Sequence, residues 1–173
     1  MNRRLLMMMK KKQFIIILLL LCFCQTVSAK SFPFDMSHSY EVQQVQVGKE
    51  GTKFLKVWGI AGSPDKAIDR AMQDAVAACL FVGVGATETA GKVPALCGSV
   101  EAYNQNKAYF DKFFKKGDFL HYVKNVNKGY PTGEDNVATR HGRKVGLYVQ
   151  VMYDELRKRL EKDGIIRSLD SYF

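Results

Sequence analysis

The sequence predicts an α+β domain: an antiparallel sheet of about four strands, arranged as two hairpins, packed against an alanine-rich helix, with a second helix and a C-terminal helix. Three observations lead there. YEVQQVQV and TKFLKVWGIAG are β-rich stretches separated by GKEG, a four-residue turn with glycine at both ends, which reads as an antiparallel hairpin. At Gly62-Ser63-Pro64-Asp65 the apolar period changes from two to 3.6. RKVGLYVQVMY then returns to period two, with Val145, Leu147, Val149 and Val151 on one face.

Each element has a local reason. In the second strand Leu55 and Val57 point one way and Phe54, Trp58 and Ile60 the other, so partial cover is expected on both faces. Glutamines at 43, 44 and 46 place the first strand nearer an edge. Ser63 is a good N-cap, Pro64 sits where a missing N–H does no harm, and Asp65 favours the positive end of the helix dipole. Ile68, Ala71, Met72, Ala75, Val76, Cys79 and Val82 form the stripe of that helix, with Gln73 and Asp74 among the polar residues opposite. EAYNQNKAYFDKFFKK supplies a second helix with Tyr103, Phe110, Phe113 and Phe114 inward. FLHYVKNVN alternates as a strand and pairs with 143–153 across the polar connection KGYPTGEDNVATRHG. Asp154 caps the last helix and Gly164 ends it.

The N-terminus reads as a secretory signal over residues 1–29: a basic head, an apolar run from Phe14 to Cys24, and Val27-Ser28-Ala29 as the cleavage site. The run is about half the roughly 20 residues of a membrane span, so no transmembrane segment is expected after cleavage. Lipidation at Cys24 is the alternative, disfavoured by Phe23 before it. Residues 30–39 read as a flexible entry segment and 40–173 as a single domain. The chain carries 26 Lys and Arg against 17 Asp and Glu, and five of the basic residues lie in the signal, leaving 21 against 17. That balance gives little support to a nucleic-acid partner. Cys79 and Cys97 remain after cleavage, and an oxidising compartment makes a disulfide between them reasonable; Cys79 also falls on the helix stripe, where a buried thiol is the alternative.

Catalytic apparatus is hard to find. GVGATETAGKV ends in Gly-Lys, but a phosphate loop needs a glycine where Ala86 stands and a hydroxyl where Val93 stands. It follows a helix rather than a strand, and reads as a helix C-cap at Gly83 or Gly85 leading into a flexible loop. The three histidines, His38, His121 and His141, have no zinc spacing. Glu134, Asp135 and Asn136 lack the calcium-loop frame. No cofactor or metal is implied. A thiol enzyme built from His121 with Cys79 or Cys97 is one competing reading; a glycan-binding module, which predicts aromatics clustered on one exposed face, is another.

VWGIAGSPDKAIDRAMQDAVAACL resembles the strand, glycine turn and A-x-x-x-A helix of small periplasmic α+β domains found in flagellar and curli accessory lipoproteins. The resemblance covers residues 52–82 and 143–160 and departs at the 83–118 insertion and at the cysteines. It implies an envelope scaffold without catalysis. The leading expectation is therefore a secreted or periplasmic protein that binds another envelope component. Its partner surface would use a strand edge, the loop residues Tyr130, Glu134, Asp135 and His141, the off-stripe Tyr109, and the apolar tail residues Ile165, Ile166, Leu169 and Phe173.

Overall fold

The computed structural model describes residues 34–36 and 39–168, all within a unit spanning Ser31–Phe173. The expected signal segment with Cys24, His38, and the tail residues Leu169 and Phe173 lie outside the described residues. The first hairpin joins β1 (Glu41–Val47) to β2 (Lys53–Ala61), with Val42 opposite Val57 and Gln44 opposite Leu55. The second hairpin is more elaborate than the sequence predicts. Of FLHYVKNVN only β3 (Val123–Asn125) is a strand; Asp118–Tyr122 is a 3-10 turn that buries Phe119. The polar connection contributes a strand of its own, β4 (Asn136–Thr139), and both pair with β5 (Gly142–Val151). The α+β class therefore stands, with five strands rather than about four: β1-β2-β5-β3 in order, and β4 alongside β5 next to β3.

Helix α1 (Pro64–Ala77) starts as its sequence dictates: Ser63 is extended and its Oγ accepts from the Lys66 amide at 3.4 Å. It lies across β2, β5 and β3. Ala67, Ala71 and Ala75 are wholly buried. Their small side chains allow an approach so close that a Cβ on Gly59 of β2 would stand 2.3 Å from the Ala67 carbonyl oxygen and 2.5 Å from the Ala71 nitrogen. Burial spreads beyond the expected stripe. Gln73 and Asp74 are buried as well. Val82 is 55% exposed, because a π turn over Ala78–Val82 shifts the helical phase beyond α1 and turns Phe81 into an aromatic layer.

That layer comes from α2 (Val100–Gln105) and α3 (Lys107–Lys115), one predicted helix broken at Asn106, whose side-chain amide caps the Ala102 carbonyl at 3.1 Å. Phe81 meets Phe110 edge-on at 4.7 Å and Tyr103 at 5.7 Å. Phe34, in the stretch expected to be a flexible entry, stacks on Phe114 at 3.7 Å and 12°. Met36 packs against the same core and takes a hydrogen bond from the Tyr40 hydroxyl at 3.0 Å. Helix α4 (Tyr153–Lys162) buries Leu156 and Leu160; its N-cap is Met152, with Asp154 in the first turn rather than at the cap.

The glycine-rich stretch after α1 is ordered by pairing. A π turn, Ala78–Val82, closes at Gly83, whose amide donates to the Ala78 carbonyl at 2.7 Å. Val84 and Val93 then exchange backbone hydrogen bonds of 2.9 Å, and Thr87 pairs with Ala90, making a small antiparallel hairpin instead of the expected flexible loop. The Thr89 hydroxyl donates to the Val45 carbonyl of β1 at 2.7 Å, where a bulge between Gln44 and Gln46 interrupts the edge strand. Bulge and hydroxyl together blunt an edge that would otherwise invite pairing.

Candidate functional site: the open face of the sheet

Strand alternation sends every second side chain of β2 and β5 away from α1. Register sets them in rows across the sheet. Gln46, Phe54, Gln150 and Lys124 form one row; Gln43, Lys56 and Tyr148 the next; Glu41, Trp58 and Gly146 the third; Ile60, Lys144 and Val137 the last. On the opposite face Leu55, Val57, Val145, Leu147, Val149 and Val151 are wholly buried. On this one Phe54, Trp58 and Tyr148 are half-buried, Ile60 is 50% exposed and Val137 39%. The expected partial cover on both faces is thus unequal.

Aromatic rings and lysines interleave here. Lys56 Nζ stands 5.2 Å from the Trp58 ring centre and 4.9 Å from that of Tyr148, and Lys144 Nζ 5.7 Å from Trp58. Phe54 and Tyr148 lie 6.1 Å apart and within 16° of parallel. Gly146 makes room for this arrangement: a Cβ there would stand 2.5 Å from Asp135 Oδ1 and 3.0 Å from the Trp58 indole nitrogen. Asp135, from the turn Gly133–Asp135, pairs with Lys56 at 2.8 Å, and Glu41 pairs with Lys144 at 2.7 Å. The hydrogen bond to Asp135 raises the Lys56 pKa, with burial opposing it, so Lys56 is charged at neutral pH. Such exposed pairs and cation–π contacts contribute about 1 kcal/mol or less each, so an incoming ligand can displace them. At the Phe54 end the face opens into a groove of about 350 Å³ lined by Gln46, Val47, Gly48, Lys49, Phe54 and Gln150.

Among the described residues, the partner residues expected from the sequence do not form one surface. Tyr109 hydrogen-bonds Asp163 at 2.7 Å and packs on Phe110; burial first, then that bond, push its phenol pKa up. Tyr130 is 54% exposed and donates to Asp65 at 3.1 Å, fastening the connection to the start of α1. Glu134 and His141 are exposed, His141 in the β4–β5 turn. Ile165 and Ile166 pack on the core. Of the loop set, Asp135 is the residue whose contacts reach the open face. Asn136 Oδ1, weighed above for calcium, accepts from Arg143 Nε at 2.9 Å and Nη2 at 2.6 Å. Sequence reasoning did not single out Phe54, Lys56, Trp58, Lys144 and Tyr148 as a site. Their alternation was legible, but the absence of a covering layer among the described residues depends on where the helices go.

The Cys79–Cys97 disulfide is not formed; both are free thiols. The π turn directs Cys79 wholly into the core while Cys97 stays at its margin, although the backbones touch through Leu96 N to Cys79 O at 2.9 Å and Cys97 N to Leu80 O at 2.8 Å. Burial pushes both thiols up to about 12. They are therefore protonated at neutral pH, a poor state for a nucleophile, and His121 sits exposed in the 3-10 turn. Two outcomes follow for thiol titration. The native protein is expected to react slowly at neutral pH, and both cysteines to react on unfolding without reductant; a bonded pair would stay silent until reduced. Because the folded pKa values are raised, the stability these thiols contribute is complete below the unfolded thiol value of about 8.5 and declines as pH rises toward 12.

No protein-family model, curated protein or solved structure matches the chain. Among the described residues no helix is long and apolar enough to cross a membrane.

Proposed function

We propose that the chain is a non-catalytic binding module of the cell envelope, exported by its N-terminal segment and working through the open face of its sheet. One observation carries this reading: the sheet is packed by α1 on one face, while the other holds Phe54, Trp58 and Tyr148 half-buried among lysines. Clustered half-exposed aromatics are costly to leave in water and are a common signature of a binding surface. The thiol-enzyme alternative gains no support from two thiols whose pKa burial raises to about 12. Export rests on residues 1–29, and the scaffold role agrees with the resemblance of residues 52–82 and 143–160 to flagellar and curli accessory domains.

Co-sedimentation with isolated cell envelopes tests it. The wild-type protein should pellet with the envelopes, and a Phe54→Ala/Trp58→Ala variant should bind about ten-fold more weakly, the loss of roughly 1.4 kcal/mol. Thermal unfolding of the variant checks that the core face is intact. If the variant pellets as well as wild type, the open face is not the binding surface.

A further inference from the structure

The open face is electrostatically uneven along its length. At the Trp58 end the two lysines are matched, Lys56 by Asp135 and Lys144 by Glu41. At the Phe54 end the groove is lined by two glutamines, an aromatic ring and one charge, Lys49, and Lys124 stands beyond Gln150 in the same row, exposed. A ligand that fills the face therefore meets net positive charge at one end and neutralised rings at the other. Phe54 and Trp58 are four residue steps apart along β2, about 13 Å at strand rise, so one small ring cannot touch both and a chain can.

Building on the binding role proposed above, we propose that this face takes an anionic polysaccharide of the uronic-acid type. Its carboxylates meet Lys49 and Lys124. Its sugar rings lie over Phe54, Tyr148 and Trp58, and its hydroxyls reach the amides of Gln43, Gln46 and Gln150. Charge complementarity selects the anion: Lys49 in the groove and Lys124 in the adjoining row would repel a basic ligand. Ring geometry selects the saccharide. Phe54 and Tyr148 present near-parallel rings at the surface, and planar aromatics beside amide hydrogen-bonders suit the apolar faces and hydroxyl rims of sugars. An acidic peptide adding as a strand has less to use. The outer edge of β1 is interrupted by its bulge and held by Thr89, and the strands ending the sheet on the other side, β3 and β4, have three and four residues.

Trp58 is the chain's one tryptophan and lies on this face, so its emission reports occupancy directly. The full-length protein is titrated with polygalacturonate, neutral dextran and polyglutamate, with calorimetry alongside. A saturable change is expected with polygalacturonate alone, weakening several-fold between low and about 0.15 M salt. Lys49→Gln/Lys124→Gln, which alters exposed side chains, should reduce affinity about ten-fold and leave the unfolding midpoint in place. Dextran binding as tightly as polygalacturonate would overturn the charge argument. Polyglutamate binding as tightly would make the occupant an acidic polypeptide, and silence in both readouts with every polymer would end the proposal. Envelope binding that persists and still depends on Phe54 and Trp58 in that last case would leave the broader binding role standing; loss of both would remove the two together.

Discussion

A Gly59→Val protein should lose about 3 kcal/mol of stability, read as a lower urea midpoint at unchanged slope. Gly59 faces α1 from the middle of β2, opposite Val145. The atoms a new Cβ would strike are the Ala67 carbonyl oxygen at 2.3 Å and the Ala71 nitrogen at 2.5 Å. Both belong to helix backbone, which cannot swing aside as the end of a long side chain can. The helix must lift from the sheet, and the contacts of Leu55, Val57 and Leu147 beneath it loosen together. Strand propensity works in the other direction, since valine is favoured over glycine in a strand by up to about 1 kcal/mol. Steric displacement of a packed helix outweighs that. Gly62→Ala is the control: nothing lies within 4 Å of its added Cβ, so its midpoint should move by no more than about 0.5 kcal/mol. If Gly59→Val matches Gly62→Ala, the close approach of α1 to the sheet is wrong.

The same glycine shows how far the sequence could be read. Alternation in TKFLKVWGIAG and RKVGLYVQVMY correctly separated Leu55, Val57, Val145 and Leu147 from Phe54, Trp58 and Tyr148, because strand period is a local property of the backbone. The alanines of α1 correctly announced a helix lying close on a sheet. Two kinds of information were not local. Whether a second layer covers Trp58 depends on the paths of α2, α3 and the 126–135 connection, and these go elsewhere or, through Asp135, touch only its rim. Pairing of Val84 with Val93 was hidden because glycine-rich sequence looks the same in a loop and in a hairpin whose partner lies nine residues on. The choice between a disulfide and a buried thiol stayed open in the sequence for a related reason. The nearness of the two cysteines along the chain was readable, but the side-chain direction set by the π turn at Ala78–Val82 was not. The candidate site was thus half legible: its residues could be grouped by face, and the openness of that face could not.

Phe114→Ala should cost about 4 kcal/mol, among the largest effects of any single truncation in this chain. Its ring is wholly buried at the end of α3 and touches Phe113 at 5.3 Å, Phe119 at 5.7 Å and Phe34 at 3.7 Å. Truncation leaves a cavity between α3, the 3-10 turn that follows it after two residues and the distant entry segment, each held by other core contacts and unable to close fully on it. The contact with Phe34 has a further consequence, because it joins the core to the stretch just after the expected cleavage site. Phe34→Ala alone should cost less, about 2 kcal/mol, since one side of that ring is at the surface. Combined in a double-mutant cycle, the two should show coupling of about 1 kcal/mol, as expected for parallel rings in direct contact. Strict additivity in urea unfolding would mean that Phe34 does not rest on Phe114 in solution and that the entry segment is as loose as its sequence suggests. Measurable coupling means that Phe34 is fixed through one aromatic stack to the layer that packs on Phe81 of the π turn after α1. Through α1, which continues into that turn, the stack is linked to the sheet whose other face is the proposed binding surface.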